Sequence, residues 1–139
     1  MEMTRNAINT VGALAAGLTT FLFGARDGLL VALFAFVVLD YITGVIAAWM
    51  TKTLSSEVGF KGLGKMVMIL AIVSVGNILD VATGAGGILR SLVIGFYWAN
   101  EGLSLLENAG RCGVPLPQKL LDALAQLKEG GAKQPAQKD

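Results

Sequence analysis

The sequence predicts an all-α integral membrane protein, with about four transmembrane helices in antiparallel hairpins and a short C-terminal amphipathic helix. Three observations carry this. Of 139 residues, 54% are hydrophobic, 18 more are glycine, and only 15% are charged, against about 25% charged in soluble domains; mean hydropathy is +0.64. The charges cluster, and the gaps between clusters approach the roughly 20 residues that a bilayer-crossing helix needs. Lysine and arginine gather on alternate connections, as the bias of cytoplasmic loops requires.

Four segments follow, near residues 5–24, 28–50, 60–82 and 87–108, within a transmembrane region 1–110. The first is uncharged from Asn6 to Ala25 and rich in small residues. No small-x-small cleavage site precedes Arg26-Asp27, because Phe23 sits where a small residue is wanted, so it reads as an uncleaved span. Gly12 with Ala16, and Ala13 with Gly17, are small-xxx-small pairs suited to close helix contact and self-association. The second segment is broken only by Asp40 and the third only by Asp80. The fourth is the most polar, and a three-span alternative makes either the first or the fourth segment interfacial.

The connections are short. Ala25 to Gly28 forms a polar turn and Thr83 to Gly87 a glycine turn. In the longer link from Thr51 to Gly64, Ser55-Ser56-Glu57 offers an N-cap. Gly59, Gly62 and Gly64 suggest a bent or re-entrant approach to the third helix. Arg5, the basic anchors Lys52, Lys61 and Lys65, and the basic C-terminal region fall on one side, so both termini are expected in the cytoplasm. Beyond Pro115 and Pro117, Gln118 to Glu129 reads as an amphipathic helix with Leu120, Leu121, Leu124 and Leu127 on one side, and Gly130 to Asp139 as a disordered tail.

Composition excludes much chemistry. Without histidine there is no His-based triad or imidazole metal site, and the one cysteine, Cys112, builds neither an intrachain disulfide nor a zinc site alone. A net charge of +1 gives no field for nucleic acid. The glycines from Gly59 to Lys65 do not match a phosphate-binding loop. No enzyme, cofactor or metal site is expected.

Ionisable residues inside apolar segments are costly and functional by default. Asp40 lies near the middle of the second helix, with Thr43 and Gly44 on the same face. It suits packing, pore or assembly roles. Asp80 and Arg90 flank the glycine turn on opposite arms and are expected to pair across it. Ser74, Asn77 and Asp80 share a face of the third helix. On the fourth helix Arg90, Ile94, Tyr97, Glu101, Ser104 and Asn108 follow at helical spacing, with Glu107 beside them. That stripe is either a static buried face or one that turns toward water.

At these residues the chain resembles the phage holins of the toxin-secretion and phage-lysis type, the group of the clostridial toxin-release holin. The resemblance rests on Leu39-Asp40-Tyr41-Ile42-Thr43-Gly44, on Ser55-Ser56 with Gly59 and Lys61-Gly62-Leu63-Gly64-Lys65, on Asp80, and on Glu101 to Asn108 followed by Gly113-Val114-Pro115-Leu116-Pro117. It covers about Leu29 to Leu127, and Asp40, Thr43, Gly44, Lys65, Asp80, Glu101, Ser104, Glu107 and Asn108 match motif positions. It implies a protein of the bacterial inner membrane that homo-oligomerises and then permeabilises the bilayer. An endolysin or toxin is the released cargo, and an antiholin is an implied partner. The residues alone also suit a small ion channel or transporter subunit, or a non-conducting membrane scaffold.

Overall fold

The computed structural model describes residues 1–132 and contains five helices: α1 (Glu2–Phe23), α2 (Gly28–Met50), α3 (Ser56–Thr83), α4 (Ile88–Arg111) and α5 (Gln118–Ala132). No strand occurs among the described residues. The part of the expected tail from 133 to 139 lies outside them, whereas Gly130 to Ala132 belong to α5. Three helices, α1, α2 and α3, are long and apolar enough to cross a membrane. The fourth segment forms the expected long helix, but α4, with Arg90 and Glu101 inside it, is not among these three.

The helix ends follow local chemistry. Asp27 caps α2 by accepting the Leu30 N–H at 3.0 Å. Ser55 caps α3 by accepting the Val58 N–H. The helix therefore begins at Ser56 and runs unbroken through Gly59, Gly62 and Gly64. The expected bent approach is absent because Gly62 serves packing: a Cβ there would lie 2.7 Å from the Tyr41 ring of α2.

Helix α4 is the central element, packed along both α2 and α3, with α5 folded back on it. Trp98 donates to the Leu29 carbonyl and Asn108 to that of Asp40, separations of 69 and 68 residues. This near-constant offset makes α2 and α4 parallel neighbours. The small apolar core joins Leu33 and Val37 of α2, Ile69 and Val73 of α3, and Ile94 of α4. No residue of α1 is buried; it meets α3 only through its last turns, and Gly12 and Gly17 have nothing within 4 Å of a built Cβ.

The outside is as informative as the core. Val31, Phe34, Leu39 and Ile42 of α2, and Val67, Met68, Val75 and Val81 of α3, are exposed, whereas Asp80, Arg90 and Glu101 are buried. Such a polar-in, apolar-out bundle suits hydrocarbon. Lipid tails are as apolar as leucine, so close packing and polar contacts, rather than the hydrophobic effect, decide helix association there.

Candidate functional site

Apart from Ser74, whose hydroxyl donates to the Leu70 carbonyl of its own helix, the buried polar residues fall into two clusters. The first lies at the end of the bundle where the Gly24–Asp27 and Gly84–Gly87 turns meet. Gly87 occupies the N-cap of α4 and has no side chain to satisfy the first free N–H groups. Asp80 of α3 does so instead, accepting from the Leu89 and Arg90 N–H groups at 3.0 and 2.7 Å. The Arg90 guanidinium turns the other way: it donates to the carbonyls of Phe23 and Ala25 at 2.6 and 2.8 Å and forks onto the Asp27 carboxylate at 2.8 and 3.1 Å. The expected Asp80–Arg90 ion pair is thus corrected, since Asp80 holds the Arg90 backbone and Asp27 holds its charge.

Asn77 donates to the Phe21 carbonyl, so it and Arg90 together satisfy carbonyls at the end of α1. Gly24 makes this approach feasible. Its φ of 74° and ψ of −151° lie in a region open essentially to glycine, and a Cβ would stand 2.5 Å from Asn77 Oδ1. The Asp27 carboxyl is held down to about 2, first by the Arg90 hydrogen bond and then by the Leu30 N–H.

The second cluster lies mid-bundle and takes one charged residue from each of three helices. Lys65 Nζ of α3 donates to Asp40 Oδ2 of α2 at 2.7 Å and to Glu101 Oε1 of α4 at 3.0 Å. Asn108 Nδ2 contacts Asp40 Oδ1 at 3.1 Å and Thr43 Oγ1 at 3.2 Å, and Asn100 donates to Glu101. Gly44 backs Asn108, with a built Cβ 3.5 Å from its Nδ2. Glu101 is 1% exposed. Lys65 is therefore no surface anchor: its side chain points into the bundle, while Lys52 and Lys61 are exposed.

The predicted stripe of α4 is the face turned to α2 and α3. Arg90, Ile94 and Glu101 are buried along it; Tyr97, Ser104 and Asn108 are half-buried; Glu107 is exposed. A cavity of about 260 Å³ adjoins the second cluster, running from Asp40 and Lys65 past Ser104 to Glu107, Val58 and Arg111. Among the described residues no group of acidic and sulfur ligands could hold a metal ion.

The sequence reading missed Asp27, Asn100 and Trp98. Asp27 had a signal, since it stands directly before the apolar run of α2 as an N-cap would. Lys65 had one too: it lies four residues before Ile69 on the buried stripe Ile69, Val73, Asn77 and Asp80.

The polar-in, apolar-out helices and the buried charge clusters define a helical membrane protein with a polar interior. The comparisons make this specific. The chain belongs to the bacteriophage holin family, whose model matches residues 17–129; it is not an enzyme family. An uncharacterized 14.9 kDa protein from the nagH 3′ region of Clostridium perfringens is 43% identical over 126 residues, covering 88% of this chain and 96% of that one. An uncharacterized Listeria innocua protein is 39% identical over 121 residues, covering 86% of each. A protein of Bacillus phage phi105, described as a probable holin, is 38% identical over 87 residues, 63% of this chain and 64% of that one. No solved structure matches the chain.

Proposed function

We propose that the chain acts as a holin of the bacterial inner membrane, assembling with copies of itself into a lesion that releases a cell-wall hydrolase or toxin and so times lysis. Helix α4 is the fourth span. Its parallel course beside α2, from the Arg90–Asp27 contact to Asn108 and Thr43, supports this, and 24 residues reach about 36 Å. Both termini then lie on the cytoplasmic side with Lys52 and Lys61. Endolysin or toxin is cargo rather than a bound ligand, and an antiholin competes for the same helix faces.

The observation that carries the reading is the α4 stripe packed inward around Glu101. Within one subunit the polar face is shielded. In a crowded assembly the same face lines water once subunits turn outward, because a polar face has no acceptable alternative in hydrocarbon. The test is expression in bacteria with and without a cytosolic muramidase. Abrupt, enzyme-dependent lysis is expected. Continued growth with altered ion flux would instead identify a channel, and no effect at full membrane level a scaffold. Glu101→Leu should insert normally yet delay or abolish lysis, and unchanged timing at equal protein level would remove Glu101 from the mechanism.

A further inference from the structure

We infer that Asp40, Lys65 and Glu101 form a proton-binding site, reached through the cavity from the Arg111 side, and that one bound proton loosens α4 from α3. The charge balance is the starting point. Two carboxylates share one ammonium nitrogen, at 2.7 and 3.0 Å, leaving an excess negative charge. The other groups facing the cluster do not correct it. Helix α2 adds the Tyr41 phenol, and α4 adds Tyr97 and, at the cavity rim, Glu107 and Arg111, whose charges offset each other. From α3 the charged side chain at this cluster is Lys65; Lys61 pairs with Glu57 on the exposed surface, and the buried Asp80 belongs to the turn-end cluster.

Backbone groups cannot compensate either. Asp40 and Glu101 sit in helix interiors, where each N–H is already used four residues back. The remaining donors are one N–H each from Asn108 and Asn100. An uncompensated charge in a low-dielectric site is relieved by neutralisation.

The relieving ligand is a proton rather than a metal ion. Lys65 Nζ already occupies the position between the two carboxylates, so a second cation has no place there. A proton needs no volume, and it belongs to the carboxylate pair as a unit. The cavity, about 260 Å³ and lined by Ser104, Asn108 and Lys65, has room and partners for several waters. It runs toward Val58 in the first turn of α3 and Arg111 at the end of α4, giving the pair access from that side.

Lys65 ties α3 to α2 through Asp40 and to α4 through Glu101. Protonating the pair replaces one of these ion pairs with a contact between the Lys65 ammonium and a neutral carboxyl group, which loses the attraction between opposite charges. The two ties compete for a single nitrogen, so the more buried Glu101 side is the one that slackens.

The proton site stands on this geometry; its effect on lysis rests on the holin reading. The test is infrared difference spectroscopy on the full chain in phospholipid vesicles, followed from alkaline to acid pH. Wild type should gain a protonated-carboxyl band. Glu101→Gln and Asp40→Asn should each abolish it, because either leaves one carboxylate balanced by Lys65, and circular dichroism verifies that both remain helical. A wild-type spectrum without the band, or a band that survives either substitution, would overturn the inference. Lysis is scored separately: an intact band without lysis counts against the holin reading, and lysis without the band against the proton site.

Discussion

The two polar clusters contain the same charges, two carboxylates and one cation, yet they are built differently. At the turn end, Asp80 and Asp27 each meet backbone N–H groups at the start of a helix, α4 and α2 respectively. Those donors are obligatory features of helix termini, and the macrodipole adds to them. The Arg90 charge is spread over two carbonyls and a bidentate carboxylate. Mid-bundle, Asp40 and Glu101 have only side chains to meet them, and one ammonium serves both. The first cluster is a structural knot, fixed by backbone. The second depends on the placement of three helices and breaks when they move.

Breaking each in turn tests the contrast. Arg90→Met should have the largest effect on stability. It strands the Asp27 carboxylate and the carbonyls of Phe23 and Ala25 together, and removing one partner of a buried pair costs about 3–5 kcal/mol. Asp27 is 39% exposed, which screens the pair and brings the expected loss to about 2–3 kcal/mol. Lys65→Met should cost less, about 1–2 kcal/mol, because the Lys65 side chain is 39% exposed and water reaches the cavity beside it. Unfolding by denaturing detergent in mixed micelles measures both. Lysis timing at matched protein level should rank them in reverse, with Lys65→Met shifting it more. Equal rank in both assays would erase the distinction between knot and switch.

What the sequence disclosed follows the range of the interactions concerned. Helices α2 and α4 were legible to within a few residues because charge-free gaps and helical spacing are local. The buried faces of α3 and α4 were legible too, since Ser74, Asn77 and Asp80, and Arg90, Ile94 and Glu101, share faces by period alone. Partner identity was not. Arg90 meets Asp27 across 63 residues and Lys65 meets Asp40 across 25. Those pairings depend on the stagger between helices, which no local pattern records. The nearer carboxylate to Arg90 in sequence, Asp80, is taken by the α4 N-terminus, a competition visible only once Gly87 is seen to lack a capping side chain.

A smaller effect comes from pH at the knot. The Asp27 carboxyl falls from its ordinary 3.8 to about 2 in the folded chain, so folding favours its charged form. Its contribution is complete above about pH 4 and disappears as pH falls through about 2, because stability is lost where the unfolded chain binds more protons. Denaturing-detergent resistance should therefore show a Asp27-dependent decline only below about pH 4, absent in Asp27→Asn. A decline that survives this substitution would show that Asp27 is not its source.

The smallest effect should come from an ion pair of identical length. Lys61 Nζ lies 2.7 Å from Glu57, the same distance that separates Lys65 from Asp40. The environments differ. The Lys61 and Glu57 side chains are 76% and 73% exposed, one turn apart on a single helix, whereas Asp40 is 13% exposed and reached from another helix. Water and salt screen the first pair, and one-turn pairs contribute about 0.3–0.5 kcal/mol. Lys61→Ala should therefore leave mixed-micelle stability within about 0.5 kcal/mol of wild type, and added salt should erase even that difference. Lys65→Met, by contrast, should keep its deficit at high salt, since a partly buried pair is screened much less. If the two substitutions proved equal in cost and in salt response, the mid-bundle cluster would be an exposed pair in the membrane-bound protein. Its distinction from the surface would then rest on distance, which the two pairs share.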